Sequence, residues 1–315
     1  MSKSNPGSAD SQDTTGGMIP GGEGQPAFVL HRQLTSAIPV LIAVPHAGRD
    51  YPASLINRMR HPAEAAPRLE DRYVDLVARK VAETTGAALL VAGAPRAMID
   101  LNRSPEDVDW EMISGPRTGY VRSRLAAGRR SRSGLGLVPR RLPGLGELWR
   151  QRLPAADLSA RIEQVHAPYH LALSQALESL RDRWGAALLL DMHSMPPLGP
   201  KTGENAAVDY VIGDRFGAAC EGELTGAALQ HLAANGVRVA HNRPYAGGYV
   251  LDRHGAPARG VSAMQMEICR AQYLDAQLRE PGEGLDNVAD LMTGLVVRLA
   301  DAVTRNAHGF AQAAE

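Results

Sequence analysis

The chain alternates short, continuously apolar runs with longer stretches of helical period. Pro39-Val40-Leu41-Ile42-Ala43-Val44 is apolar and β-branched without alternation, as expected of a strand covered on both faces. It stops at the turn-forming Pro45-His46-Ala47-Gly48. From about Asp71 to Thr85, the residues Val74, Val77, Ala78 and Val81 share one helical face, and Gly86 closes the segment. Residues 87–92 then predict a strand. A longer helix is predicted from about Ala155 to Trp184. The strand Ala187-Leu188-Leu189-Leu190 follows it and runs straight into Asp191-Met192-His193-Ser194. Tyr210-Val211-Ile212, Val237-Arg238-Val239 and residues 263–268 are further strand candidates, and an amphipathic helix is predicted from about Gly284 to Arg305. Strands alternating with helices predict an α/β fold, a mixed and largely parallel sheet flanked by helices. Residues 1–26 are rich in Gly, Ser, Pro and small polar groups. They offer too little apolar surface to offset ordering entropy, which predicts a disordered tail before a single domain over 27–315.

Composition narrows the function classes. With 34 basic and 34 acidic residues in 315, the net charge is +0, so no whole-chain field favours nucleic acid or an anionic membrane. Cys220 and Cys269 are the two cysteines, which excludes a disulfide framework and any Cys-x-x-Cys zinc ribbon; one bridge between them stays open. No apolar run approaches the roughly 18–20 residues of a spanning helix, and the N-terminus has no signal-like start. A reduced cytoplasmic protein is the simplest expectation. Between 115 and 152 the chain carries Arg117, Arg122, Arg124, Arg129, Arg130, Arg132, Arg140 and Arg141 against little more than Glu147. This reads as a solvated basic loop or flap, or one that steers an anionic substrate.

Open α/β sheets bind ligands beyond the carboxyl ends of their strands. His46 follows the first strand, His193 follows a central one, and Glu267 ends a late one. A hydrolytic metal needs about three protein ligands and one open position. Two imidazoles and one carboxylate satisfy that, and the candidate carboxylates near His46 include Asp50, Glu70 and Asp71. A carboxylate such as Glu267 then serves as the proton acceptor for the attacking water. Arg96 and Asn102-Arg103 flank residues 97–101, and a guanidinium there suits a substrate carboxylate. His166 and His170 have a ligand-like spacing, but Pro168 lies between them and no Glu follows the first His, so a structural role is favoured.

Six segments, in order, resemble the N-formylglutamate amidohydrolase family: VPHAGRDYP from Val44, EDRYVD from Glu70, RAMIDLNR from Arg96, DMHSMP from Asp191, NRPYAGGY from Asn242 and QME from Gln265. They span roughly Val40 to Asp275. The resemblance implies a fold akin to zinc carboxypeptidases and metal-dependent hydrolysis of an N-acyl amino acid, in the parent case N-formyl-L-glutamate to formate and glutamate. It implies one zinc, or another divalent ion, on His46, His193 and a carboxylate. Arg49 occupies the position where the carboxypeptidases place a glutamate ligand, so Asp71 is the expected third ligand, with Glu70 next. Glu267 is the implied general base, with Arg96 beside it as a catalytic candidate. Substrate contacts are expected from Asn102, Arg103, Arg49, Asn242, Tyr245, Gly247 and Arg253, toward a small anionic N-acyl amino acid. The competing readings are an amidohydrolase for another acyl or peptide-like amide, and a non-catalytic binding protein of the same fold. Oligomeric state is not encoded in these features.

Overall fold

The computed structural model describes residues 11–33, 36–116, 133–200, 203 and 207–313. Its centre is an eight-stranded sheet in the order β1-β2-β4-β3-β9-β12-β10-β11. These strands are β1 (Ser11–Gly16), β2 (Phe28–Gln33), β3 (Val40–Val44), β4 (Ala88–Ala92), β9 (Ala187–Met195), β10 (Tyr210–Gly213), β11 (Val239–His241) and β12 (Val261–Cys269). Two small sheets complete the count: β5 (Ile113–Ser114) pairs with β8 (Leu153–Pro154), and β6 (Arg141–Leu142) with β7 (Gly146–Glu147).

The central strands β4, β3, β9 and β12 run parallel, and they are buried throughout. That is why they read as unbroken apolar runs. The antiparallel strands β2 and β10 flank them. The result is the expected mixed, largely parallel α/β sheet.

Each face of the sheet carries its own core. Even-numbered Leu188, Leu190, Met264 and Met266 pack with α3 (Val74–Thr85), α6 (Gly222–Ala234) and α8 (Leu285–Ala313). Odd-numbered Ala187, Leu189, Val261 and Ala263 pack with α4 (Ala155–Arg161) and α5 (Ala167–Trp184). A π-type turn, Ile162–His166, joins α4 to α5. Side chains alternate along a strand, so the odd face of β9 and β12 continues as Asp191, His193, Gln265 and Glu267. The packing face becomes a polar one toward the strand ends.

Two expectations need correction. Residues 11–26 are not a disordered tail: Ser11–Gly16 pairs in register with Phe28–Gln33, and Ile19 is buried. A polar edge strand is held by ladder hydrogen bonds rather than by burial, so hydrophobic patterning does not reveal it. The remainder of the tail, residues 1–10, lies outside the described residues. Within the basic stretch, residues 133–152 are anchored, since Leu137, Val138, Leu142, Leu148 and Trp149 are buried. Arg140 is matched by Asp109, Glu111 and Glu147. Arg117, Arg122, Arg124, Arg129, Arg130 and Arg132 lie outside the described residues. Cys220 and Cys269 are both buried, and they are not joined in a disulfide. Among the described residues, no helix is long and apolar enough to cross a membrane.

Candidate active site

The site lies where β3, β9 and β12 end. His46 stands two residues beyond β3, and the backbone N–H of Asp71 donates to the His46 carbonyl at 2.8 Å. That bond ties the loop after β3 to the turn that starts α3. In the sheet, Glu267 pairs in register with His193, and Gln265 with Asp191. The strand β9 continues through His193 to Met195, where the sequence had predicted a strand end at Leu190. Asp191 and His193 therefore sit on one rigid element, two residues apart on one face.

Each imidazole is held by a carboxylate. His46 Nε2 lies 2.7 Å from Asp100 Oδ1, and His193 Nε2 lies 2.9 Å from Asp191 Oδ2. A carboxylate only accepts, so each Nε2 carries a proton, and each Nδ1 offers its lone pair to a cation wherever one takes the place of a proton shared with Asp71. Both Nδ1 atoms point at one oxygen, Asp71 Oδ2, at 3.4 Å from His46 and 2.9 Å from His193. His46 Nδ1 has no hydrogen-bond partner. Three buried acceptor atoms this close repel one another unless a cation or a proton stands between them. Donors about 2.0–2.2 Å from a tetrahedral ion are about 3.3 Å apart, close to these separations. His46, Asp71 and His193 thus fit a metal, and their far nitrogens have the carboxylate support usual around one.

Sequence reasoning assigned no role to Asp100 or Asp191. Asp191 was detectable as an acid two residues before a strand histidine; Asp100 becomes visible only through its contacts. Its Oδ1 also accepts the Asn102 N–H at 2.8 Å, and its Oδ2 takes the Arg96 side chain at 2.9 Å. Burial raises the Asp100 pKa, but Arg96, His46 and Arg103 outweigh it and hold the group well below the carboxylate range. Glu267 behaves in the opposite way. Burial, reinforced by Asp71, pushes its carboxyl up to about 7 against His193 and Arg96. Gln265 donates to Glu267 Oε1 at 2.8 Å and accepts from Asn102 at 3.3 Å, which orients the glutamate.

These groups open into a cleft of about 150 Å³. Of the expected site residues, His46, Asp71, Arg96, Asn102, Arg103, His193, Tyr245, Gly247 and Glu267 line it. Arg68, Ser194, Gln265 and Arg270 line it too and were not anticipated. Arg270 spends its nitrogens on Ser194 Oγ and the Pro67 and Glu70 carbonyls, buttressing the Asp71 loop. The loop 245–248 closes over Asn102. Gly247 has φ +98°, and a Cβ on Gly248 would stand 2.5 Å from Asn102 Oδ1, so only glycine permits this approach.

Arg49, Asn242 and Arg253 do not line the cleft. Arg49 makes a two-pronged bond to Asp75, at 2.8 and 3.0 Å, in the first turn of α3. Asn242, at φ 60°, holds Asp214 at 2.7 Å. Arg253, on α7 (Tyr249–His254), reaches the Tyr249 hydroxyl at 3.1 Å. In each case a spatial neighbour claims the polar group that the motif had offered to substrate. Glu70, the second choice for the metal, pairs instead with Arg72 at 2.8 Å. His166 and His170 are buried and bond to the Arg103 and Leu101 carbonyls, behind the cleft wall.

N-formylglutamate deformylase of Pseudomonas putida is 29% identical over 241 residues, covering 76% of this chain and 82% of its own. The deformylase of Pseudomonas aeruginosa is 30% identical over 251 residues, covering 76% and 84%. The crystal structure of N-formylglutamate amidohydrolase from Ralstonia eutropha JMP134 superposes with a TM-score of 0.80 at 32% identity, over 89% of this chain and 99% of its own. Residues 38–274 match the family described as N-formylglutamate amidohydrolase. The chain, with its clustered strand-end residues inside that span, belongs to the N-formylglutamate amidohydrolase family.

Proposed function

We propose that this protein is a metal-dependent deformylase that hydrolyses N-formyl-L-glutamate to formate and L-glutamate. The observation that carries the metal is the convergence of the His46 and His193 Nδ1 lone pairs on Asp71 Oδ2, with Asp100 and Asp191 fixing both tautomers. The similarity to N-formylglutamate deformylases supports the substrate. His46, Asp71 and His193 would hold a zinc ion, which would supply Lewis acidity and acidify a water toward neutral pH.

The chain's own groups account for the rest. Glu267 is buried with its carboxyl near 7, which suits taking a proton from the attacking water and returning it to the leaving nitrogen. The water oxygen bonds to the formyl carbon and the C–N bond breaks. The nitrogen leaves as the free amine of glutamate. Arg96, fixed by Asp100, stabilises negative charge growing on the carbonyl oxygen. Arg103 and Arg68 give the cleft the positive charge a dicarboxylate requires. A cleft of about 150 Å³ is smaller than the roughly 300–1,000 Å³ of drug-sized sites, which suits a short amino-acid derivative.

Turnover of N-formyl-L-glutamate is expected to disappear with a chelator and return with zinc. Glu267→Gln is expected to lower kcat about 10²–10⁴-fold while zinc still binds. Activity that survives chelation, or full activity in Glu267→Gln, rejects the assignment.

A further inference from the structure

Arg161, the last residue of α4, is a guanidinium in an unusual place. Its residue exposure is 4%. One N–H donates to the Met98 carbonyl at 2.8 Å, and the guanidinium carbon lies 5.7 Å from the Trp149 ring. Asp157 stands one helical turn earlier, where it could pair with Arg161, but it is bound to Arg58 at 2.5 Å. Among the described residues no carboxylate pairs with Arg161. A buried cation without a counter-ion is costly. Burial, with Arg58 nearby, pulls the Arg161 pKa down to about 10 against the partial compensation of Asp157, and the group is still charged at neutral pH.

Arg161 also lines a cavity of about 230 Å³, separate from the catalytic cleft. Arg58 and Asp157 share that cavity, so its charged groups carry one positive charge in excess. Ser54 adds a hydroxyl, while Leu55, Met98 and Pro20 supply apolar wall. We propose that this cavity is a binding site for a small aliphatic monocarboxylate, its charge on Arg161 and its hydrocarbon against Leu55 and Met98. One excess charge and apolar walls match a monoanion with a short stem better than inorganic phosphate, which brings more charge and more acceptors than the cavity offers. The site shares a wall with the catalytic cleft. Residues 96–103 give Met98 to one side and Arg96, Asn102 and Arg103 to the other.

Two methionines make the sites separately observable, because Met98 lines this cavity and Met195 lines the catalytic cleft. In the full-length protein labelled at methionine methyl groups, butyrate is expected to shift the Met98 resonance saturably. In Arg161→Gln, which removes the charge, the affinity is expected to fall about tenfold to a hundredfold. Ala160→Leu fills the cavity from a partly exposed helical position, and it is expected to abolish the shift in a protein whose other methionine resonances stay in place. Three outcomes overturn the proposal: a Met98 resonance that stays still while Met195 moves, wild-type affinity in either variant, and phosphate binding at Met98 as tightly as butyrate.

Discussion

The buried imidazoles behind the cleft make stability depend on acid in a calculable way. His170 Nε2 faces the Leu101 carbonyl at 3.0 Å and therefore donates to it. Its Nδ1 is left as an acceptor for His254 Nε2 at 2.9 Å. His166 Nε2 likewise donates to the Arg103 carbonyl at 2.9 Å. Of these bonds, the one that His170 Nδ1 accepts requires that ring to be neutral, and burial disfavours a charge on all three. Burial, with Arg253 adding repulsion, lowers the His254 pKa to about 3 and that of His166 to about 4, against an ordinary 6.5. Burial together with His166, His254 and Arg253 also takes His170 well below 6.5, and Asp100, near His166, gives only partial relief. The sign follows from linkage. The unfolded chain takes protons below 6.5 and the folded one does not, so stability is full above 6.5 and falls as pH drops toward 4. Each histidine costs about 1.4 kcal/mol per pH unit in that window, or about 2 kcal/mol at about pH 5. His254→Gln removes one such group. Urea unfolding followed from about pH 7.5 to about pH 5 is expected to show the wild type losing about 2 kcal/mol more than the variant. Parallel curves, or stability that rises with acid, refute the reasoning.

Three shorter predictions follow from the same geometry. Asp191→Asn leaves a side chain of the same shape but weakens the charge behind His193. Zinc affinity measured by chelator competition is expected to drop about 10–100-fold, and unchanged affinity removes the support role given to Asp191. Gly248→Ala puts a methyl 2.5 Å from Asn102 Oδ1; a loss of about 1–3 kcal/mol in thermal unfolding is expected, and a neutral result means the 245–248 loop is not tightly seated. Arg68 is exposed, donates to the Pro143 carbonyl and has no carboxylate partner among the described residues. For Arg68→Gln the KM for N-formyl-L-glutamate is expected to rise about tenfold, and that for N-formyl-L-glutamine much less. Equal effects on both substrates count against a carboxylate contact.

Much of the parallel sheet was legible because burial on both faces writes itself as an apolar run. The predicted strand at Pro39–Val44 and the predicted helix over Ala155–Trp184 correspond to observed elements, the former starting at Val40 and the latter with its π-type turn. The missed pieces have physical reasons. The edge strand β1 buries little and so leaves no hydrophobic trace. The strand β9 looked finished at Leu190 because polar residues follow, yet Asp191 and His193 satisfy one another and the ladder continues.

Sequence alone determined the buried parallel strands at the centre of the sheet and brought His46, His193 and Glu267 forward, because each lies near the end of an apolar run. It also offered Arg49, Asn242 and Arg253 as substrate contacts beside Asn102 and Arg103, with Arg96 as a catalytic candidate. Only the tertiary structure separated them, since the fate of an arginine is set by the nearest carboxylate in space. Arg49 meets Asp75, whereas Arg96 meets the carboxylate that also holds His46. The same holds for the third ligand. Asp50, Glu70 and Asp71 were all candidates, and the turn before α3 brings Asp71 against both imidazoles. Hydrophobic pattern fixes which segments are buried, but charge pairing acts through distances that exist only after the segments have packed.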